Sequence, residues 1–302
     1  MALCISSDRG IKDEDQSAVV SMMIEHPFDN PNGWALFFAS AEIPVLRRTA
    51  EELRRLHEDA ERTDTRIIAQ AVMHDPLLTL RVLQYIEVHR GERQVTDITT
   101  IERALVMIGI GPFFRDFENL PVVEDRLKNH PRAMIGLIKV ITRARKAASW
   151  AFDWALIRHD LDCDEVRLAA LLRYVSEMLM WCFAPTLALN ARAMQEQDRH
   201  LRTSAIQQQV YQTRLDDLQL ELAKQWHLPE LLTTLMDPGK ADNHRVKNVK
   251  LACDLARHSA NGWNDEALPD DYAAICELLH IELPNLMEKL DLDPETALPA
   301  IN

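Results

Sequence analysis

Two histidine–aspartate pairs are the first places in this sequence where metal or acid–base chemistry could arise. They are His74-Asp75 and His159-Asp160, and imidazole and carboxylate groups are common ligands of divalent metal ions. Asp75 precedes a proline at a predicted helix junction, and Asp160 begins an acidic loop that could attract a cation weakly. Because aspartates in such positions more often cap the next helix, we interpret both pairs as structural.

Other motifs of enzyme chemistry are absent from the sequence. No histidines form an HExxH pair, and no serine lies in a Gly-x-Ser-x-Gly turn. Gly109 and Gly111 lack a preceding strand and a third glycine, which excludes a dinucleotide-binding loop. The five cysteines show no CxxC spacing and are predicted to be free thiols, mostly buried: Cys4, Cys163, Cys182, Cys253 and Cys276. These patterns give no reason to predict a cofactor.

A basic stretch stands out in an acidic protein. No acidic residue occurs between Asp125 and Asp153, inside a long predicted helix that begins at Pro131. Two interpretations stay open: a solvated face that pairs with acidic neighbours, or a site for an anion or an acidic partner. The basic residues concerned are Lys139, Arg143, Arg145 and Lys146.

The most apolar stretch of the chain, Asp164 to Pro185, predicts one buried helix capped by Asp164 and stopped by Pro185. Arg173 lies inside it, and Glu177 follows one turn later. The spacing favours an i,i+4 ion pair between Arg173 and Glu177. In the alternative, Arg173 faces a cleft and binds an anion together with Arg143 or Lys146.

The composition limits the classes of protein to which this chain can belong. The chain has 302 residues, only eight glycines and an apolar fraction of 47%, which predicts an almost entirely helical protein with a sizeable core. Its net charge of −13 argues against general nucleic-acid binding. The charges within the apolar stretch argue against a membrane span, and the N-terminal residues do not resemble a signal peptide. We therefore expect a cytoplasmic protein.

Five short motifs resemble those of the HDOD family, helical bacterial domains related to HD phosphohydrolases. They stand at Ile43–Leu46 (Ile-Pro-x-Leu), Asp75–Leu83 (Asp-Pro-Leu-Leu-Thr-x-Arg-Val-Leu), Ile101–Gly109 (Ile-x-Arg-Ala-Leu-x-x-Ile-Gly), Leu171–Ser176 and Trp226–Pro229. The resemblance covers roughly residues 36 to 260. It implies an all-α, multi-helix HDOD/HD-like bundle with a helical C-terminal extension. The domains expected are a leader over 1–35, the HDOD-like domain over 36–260 and an extension over 261–302 packed on the same body.

The resemblance also implies that the metal site of the HD enzymes is lost. Arg173 stands where the family has histidine, and Tyr174 stands where it has aspartate. Leu215 occupies the place of a later histidine, and the final histidine pair falls near Gly239-Lys240. Because arginine cannot ligate a cation and leucine has no lone pair, we expect neither a metal nor HD-type catalysis.

The function expected from this pattern is a non-catalytic regulatory or signal-transduction module that binds a protein partner. Family members accompany bacterial signalling modules, which agrees with this expectation. Two alternatives stay open: a divergent phosphohydrolase, and a sensor of a small anionic ligand such as a nucleotide in the old cleft, at Arg143, Lys146 and Arg173. A homodimer is a further expectation, since the leader region carries apolar residues: Trp34, Leu36, Phe37 and Phe38.

Overall fold

The computed structural model describes residues 23–59, 62–89, 98–198, 200–240 and 242–293. Within these ranges the protein is helical, and the β pairing is confined to an isolated parallel bridge between Val45 and Val122. The all-α prediction is confirmed. In the same ranges, no helix has both the length and the apolar character needed to cross a membrane.

Short helices make up the first half of the chain, and several begin at a side-chain cap. The Asp64 carboxylate accepts hydrogen bonds from the backbone N–H groups of Arg66 and Ile67. These helices are α1 Pro31–Ser40, α2 Arg47–Glu58, α3 Thr65–Met73, α4 Pro76–Val88, α5 Ile101–Ile108, α6 Ile110–Asp116 and α7 Val123–Arg126.

The second half is built on one long helix, α8, which spans Pro131–Ile157. It is followed by α9 Cys163–Leu172, α10 Val175–Phe183, α11 Pro185–Gln197, α12 Thr203–Tyr211, α13 Leu215–Gln225, α14 Glu230–Met236, α15 His244–His258, α16 Leu268–Leu279 and α17 Leu283–Lys289. Two 3-10 turns, Pro238–Lys240 and Ser259–Asn261, flank α15.

Helix α8 is the element against which its neighbours pack. Helices α9, α10 and α15 all lie along it, and small side chains on its buried side allow this close approach. Gly136 is the extreme case, because a Cβ atom there would lie 2.6 Å from the indole ring of Trp181 on α10. The other small residues on this side are Ala133, Ala144, Ala147, Ala148, Ala151 and Ala155.

The apolar stretch 164–185 is not one helix, so that prediction is wrong. Helix α9 begins at Cys163, with Asp162 rather than Asp164 as its N-cap residue. It ends at Leu172, and α10 begins at Val175 after a break at Arg173 and Tyr174. Both segments are buried on nearly every face, so the expectation of a central, buried position is confirmed.

The aromatic residues expected to favour self-association are largely in the protein's own core. Trp34 and Phe38 on α1 are fully buried, Phe37 is half-buried, and Leu36 is exposed. The Trp34 indole N–H donates to the carbonyl of Tyr211 at 3.0 Å. Most of the apolar basis for a homodimer is therefore gone, and the homodimer stays a prediction. Most of the leader expected over 1–35 lies outside the described residues, which begin at residue 23.

Candidate functional site

A side chain from another helix stabilises the break between α9 and α10. Gln219 on α13 is buried, and its amide oxygen accepts the backbone N–H of Ser176 at 3.0 Å. Its amide nitrogen donates to the carbonyl of Leu172 at 3.1 Å. These two hydrogen bonds satisfy backbone groups that a continuous helix would have paired internally. Arg173 and Tyr174 are thereby fixed at the corner; they are the residues that the family resemblance places at the positions of the HD histidine and aspartate.

Arg173 forms its ion pair across the bundle rather than along its own helix. Its Nη2 lies 2.9 Å from Oδ1 of Asp216, the second residue of α13. The predicted i,i+4 pair with Glu177 is wrong, because the break at Tyr174 turns Arg173 away from α10. Burial alone would lower the pKa of Arg173, but the nearby Asp216 carboxylate outweighs burial and raises it.

Glu177 instead pairs with Arg143, which reaches it from α8. The Arg143 guanidinium lies 4.3 Å from the centre of the Tyr174 ring, so it also makes a cation–π contact. Burial opposes the charge of Arg143, yet Glu177 and Tyr174 together hold its pKa above the ordinary value. Arg143 is therefore the link between the long helix and the corner.

Tyr174 is a neutral hydrogen-bond donor. Its hydroxyl donates to the backbone carbonyl of Cys253 on α15 at 2.6 Å. Burial raises the pKa of Tyr174 well above 10, so the phenol keeps its proton at physiological pH. Burial also raises the pKa of the Cys253 thiol, to about 12. Neither group offers an anionic ligand.

The residues at this position do not fit a metal ion. A guanidinium carries no lone pair for a cation and repels it, and the phenol of Tyr174 is protonated and already donating. Leu215 begins α13 as a buried apolar side chain. Among the described residues, no three histidine, cysteine, aspartate or glutamate side chains are grouped as a metal site requires. We name Arg143, Arg173, Tyr174, Glu177 and Asp216 the corner cluster.

Lys146 does not join the corner cluster. It is exposed on α8, and its Nζ lies 6.0 Å from the ring of Trp150. Of the three residues predicted to hold an anion together, only Arg143 and Arg173 flank Tyr174, and both already pair with carboxylates. Gly239-Lys240 lies in an exposed 3-10 turn, where Lys240 Nζ contacts the hydroxyl of Thr234 at 3.1 Å.

Both histidine–aspartate pairs have structural surroundings. Asp75 is fully buried, and its carboxylate accepts from the backbone N–H groups of Leu46 at 2.8 Å and Leu77 at 3.0 Å. Asp160 pairs with Arg245 on α15 at 2.5 Å, and Asp162 pairs with the same guanidinium at 2.8 Å, so a cation of the protein already occupies the acidic loop. The predicted cap is confirmed for Asp75, whereas Asp160 forms an ion pair in place of a helix cap.

The carboxylates of the corner cluster were not found from sequence. Glu177 and Asp216 lie 34 and 43 residues from the arginines that they pair with. Gln219 was missed for the same reason. The only local signal is Arg143 itself, a charged residue among buried Val140, Ala144 and Ala147 on the packed side of α8.

The sequence was compared with family profiles and with curated proteins. The sequence profile of the HDOD domain matches residues 43–239, which is more than half of the chain. A search of curated proteins gave no significant match.

Solved structures show the same fold. The crystal structure of the MmoQ response regulator from Methylococcus capsulatus strain Bath aligns with a TM-score of 0.62 at 17% identity, covering 82% of this chain and 98% of that one. A virulence factor from Campylobacter jejuni subsp. jejuni aligns with a TM-score of 0.64 at 18% identity, covering 88% of this chain and 98% of the other. At these identities the likeness concerns the fold.

Proposed function

Because the chain belongs to the HDOD family, we propose that it is a non-catalytic regulatory module that acts by binding another protein. The observation that carries the proposal is the corner cluster. Where an HD enzyme would hold a metal, this protein has the guanidinium of Arg173 paired with Asp216, beside the protonated phenol of Tyr174. An interior occupied by the protein's own cations has no open coordination position for a metal-bound water.

A solved structure with the same fold supports the regulatory part of the proposal. MmoQ, one of the solved structures with the same fold, is a response regulator. With the corner cluster filled by internal pairs, the outer helix faces are the surfaces on which this protein could act. The proposal includes a cytoplasmic location, in which free thiols such as Cys182 and Cys253 stay reduced.

An assay for phosphoester hydrolysis tests the non-catalytic part. The full chain is incubated with Mn²⁺, Fe²⁺ or Mg²⁺ and with bis(p-nitrophenyl) phosphate or cyclic dinucleotides. We expect no turnover above that of the metal ion in buffer. Metal-dependent hydrolysis that disappears in Asp216→Asn would contradict the proposal, because Asp216 would then be serving a metal rather than Arg173.

Recovery of a partner tests the binding part. Tagged full-length protein is purified from its native host and the co-purifying proteins are quantified by mass spectrometry. We expect a specific protein in an amount comparable to that of the bait. If no protein is enriched over a tag-only control at any salt concentration, the binding part of the proposal is contradicted.

One observation favours a second candidate, a sensor of a small anion. The Nε of Arg143 is buried without a hydrogen-bond partner among the described residues, although the same guanidinium pairs with Glu177. A donor of this kind could serve an anionic ligand at the corner. A thermal-shift screen of the full chain with nucleotides tests this candidate, which predicts a stabilisation that is lost in Arg143→Met.

A further inference from the structure

The outer face of α8 is exposed along the helix and has a regular pattern. Ile135 and Ile138 are 56% and 39% exposed, which is unusual for isoleucine on a helix whose other side forms the core. Thr142, Arg145 and Ser149 continue the same line; Thr142 and Ser149 are exposed, and Arg145 is half-buried. The spacing of three and four residues is that of the contact positions a and d of a heptad repeat. We call this line of residues the α8 seam.

Three cations follow one edge of the α8 seam. Arg132, Lys139 and Lys146 are seven residues apart, at the heptad position e that borders the seam, and all three are exposed. In the part of the chain that the structure describes, no carboxylate lies within ion-pair distance of any of them, and α8 has no acidic residue before Asp153. A row of unpaired positive charges is unexpected on a protein of net charge −13.

The elements beside the α8 seam leave the part that holds Ile135 and Ile138 exposed. On the cationic edge, the ion pair with Arg192 is the main cause that lowers the pKa of Glu196 on α11, and the charge of Lys139 adds to it. Further along the seam, Arg145 Nε donates to the carbonyl of His74 at 2.5 Å, so the end of α3 lies against the seam at this position.

We propose that the α8 seam docks an acidic amphipathic helix of a partner protein. Aliphatic side chains of that helix would pack on Ile135 and Ile138, and its glutamates or aspartates would face Arg132, Lys139 and Lys146. Charge complementarity selects this occupant, because charges beside a heptad seam set the choice of helical partner. The inference rests on the proposed function and names the partner's chemistry.

Two other occupants fit the α8 seam less well. A membrane surface is disfavoured because Thr142 and Ser149 interrupt the apolar line, and lipid-bound helices bury a wider apolar face. A second copy would place the same row of cations against itself if the contact were symmetric, and like charges repel.

The test uses two synthetic helical probes and the full chain. Each probe has about three heptads with leucine at positions a and d; one carries glutamate and the other lysine at positions e and g. Fluorescence anisotropy measures binding to the wild type and to Lys139→Glu/Lys146→Glu. The matched control is Arg54→Glu/Arg103→Glu, which changes the net charge equally at exposed positions on α2 and α5. Ile135→Asp tests the apolar contact without touching the core.

We expect the acidic probe to bind the wild type and the control equally. Its affinity should fall roughly tenfold or more in Lys139→Glu/Lys146→Glu and in Ile135→Asp. The charge-reversed protein should then prefer the lysine probe. The proposal is overturned if the acidic probe does not bind, or if the control weakens it as much. Two further results would overturn it. One is a dimer in sedimentation that is lost when these residues are substituted. The other is binding of the wild type to phosphatidylserine vesicles through these residues, in the absence of binding to the acidic probe.

Failure of this inference is distinguishable from failure of the proposed function. A protein that does not hydrolyse phosphoesters and recovers a partner, but ignores the acidic probe, has its docking surface elsewhere. A protein that hydrolyses phosphoesters refutes the proposed function whatever the probe does.

Discussion

Arg143 and Arg173 each lie beside a carboxylate that another helix supplies. A guanidinium offers a permanent positive charge and several donors in a plane, so it can satisfy a carboxylate without any ion from solution. Glu177 and Asp216 are thus each paired with a guanidinium of the protein itself. These pairs balance the charges at the corner, and the proposed function rests on the view that they leave no open position for a metal-bound water.

Removing the charge of Glu177 tests the ion pair between Arg143 and Glu177. Glu177→Gln should lower the free energy of unfolding by about 2 kcal/mol, because it leaves a largely buried guanidinium without its counter-charge. The value is set below that for a fully buried pair, since 28% of the Glu177 side chain is exposed. Urea unfolding followed by circular dichroism measures the change.

A double variant serves as the control for this prediction. Arg143→Met/Glu177→Gln removes both charges and should recover most of the lost stability, since no unpaired charge is left. If its loss of stability equals the sum of the losses in Arg143→Met and Glu177→Gln, the two side chains do not act as a pair.

At the scale of elements, the corner exists because Gln219 bonds to both of its sides. Gln219→Met keeps the size of the side chain but leaves the Ser176 N–H and the Leu172 carbonyl buried without partners. We expect a loss of about 2–4 kcal/mol in the free energy of unfolding. Lys224→Met, on the exposed side of the same helix, should change it by less than about 0.5 kcal/mol. Equal effects of the two substitutions would contradict the role given to Gln219.

Alanine substitutions at two glycines test a closely packed position against a position with open space. Gly136→Ala would place a Cβ against the ring of Trp181, and we expect a net loss of about 1–3 kcal/mol despite the better helix propensity of alanine. Gly111 in α6 has no neighbour within 4 Å of the same atom. Gly111→Ala should therefore be neutral or stabilising by up to about 1 kcal/mol. Thermal unfolding of both variants checks the contrast, and a stable Gly136→Ala would refute the close approach of α10 to α8.

A feature could be predicted from the sequence when the residues that cause it lie close together in the chain. The helix cap at Asp75 was predicted, since a cap bonds to residues two or three positions away. The break at Arg173 and Tyr174 was not, because its hydrogen bonds come from Gln219 on another helix. The loss of metal ligands is inferred from the resemblance to the family motif and stays a prediction, whereas the carboxylates that pair with Arg143 and Arg173 could be found only in three dimensions.

At the scale of the whole molecule, one continuous core joins the early and late parts of the chain. One cluster of buried apolar side chains includes members from Ile24 to Leu290. Polar contacts also bind the late helices to α8 and its loop: Arg158 donates to the carbonyl of Leu278, and Arg245 pairs with Asp160. We therefore expect the described helices to unfold in one cooperative transition.

Arg245→Met tests the coupling of α15 to the loop after α8. The side chain of Asp160 is only 5% exposed, so removing Arg245 leaves a buried carboxylate uncompensated. We expect a loss of about 2–3 kcal/mol in the free energy of unfolding, with tryptophan fluorescence and circular dichroism still reporting one transition. Two separate transitions would show that the late helices form an independent unit.

Metal analysis of the purified full chain tests the central claim most directly. The protein is expressed in medium supplemented with Mn²⁺, Fe²⁺ and Zn²⁺, purified without chelators and measured by inductively coupled plasma mass spectrometry. Because Arg173 and Arg143 already neutralise the carboxylates of the corner cluster, we predict metal contents far below stoichiometric. A stoichiometric content of any of the three metals that is lost in Asp216→Asn or Glu177→Gln would contradict the account.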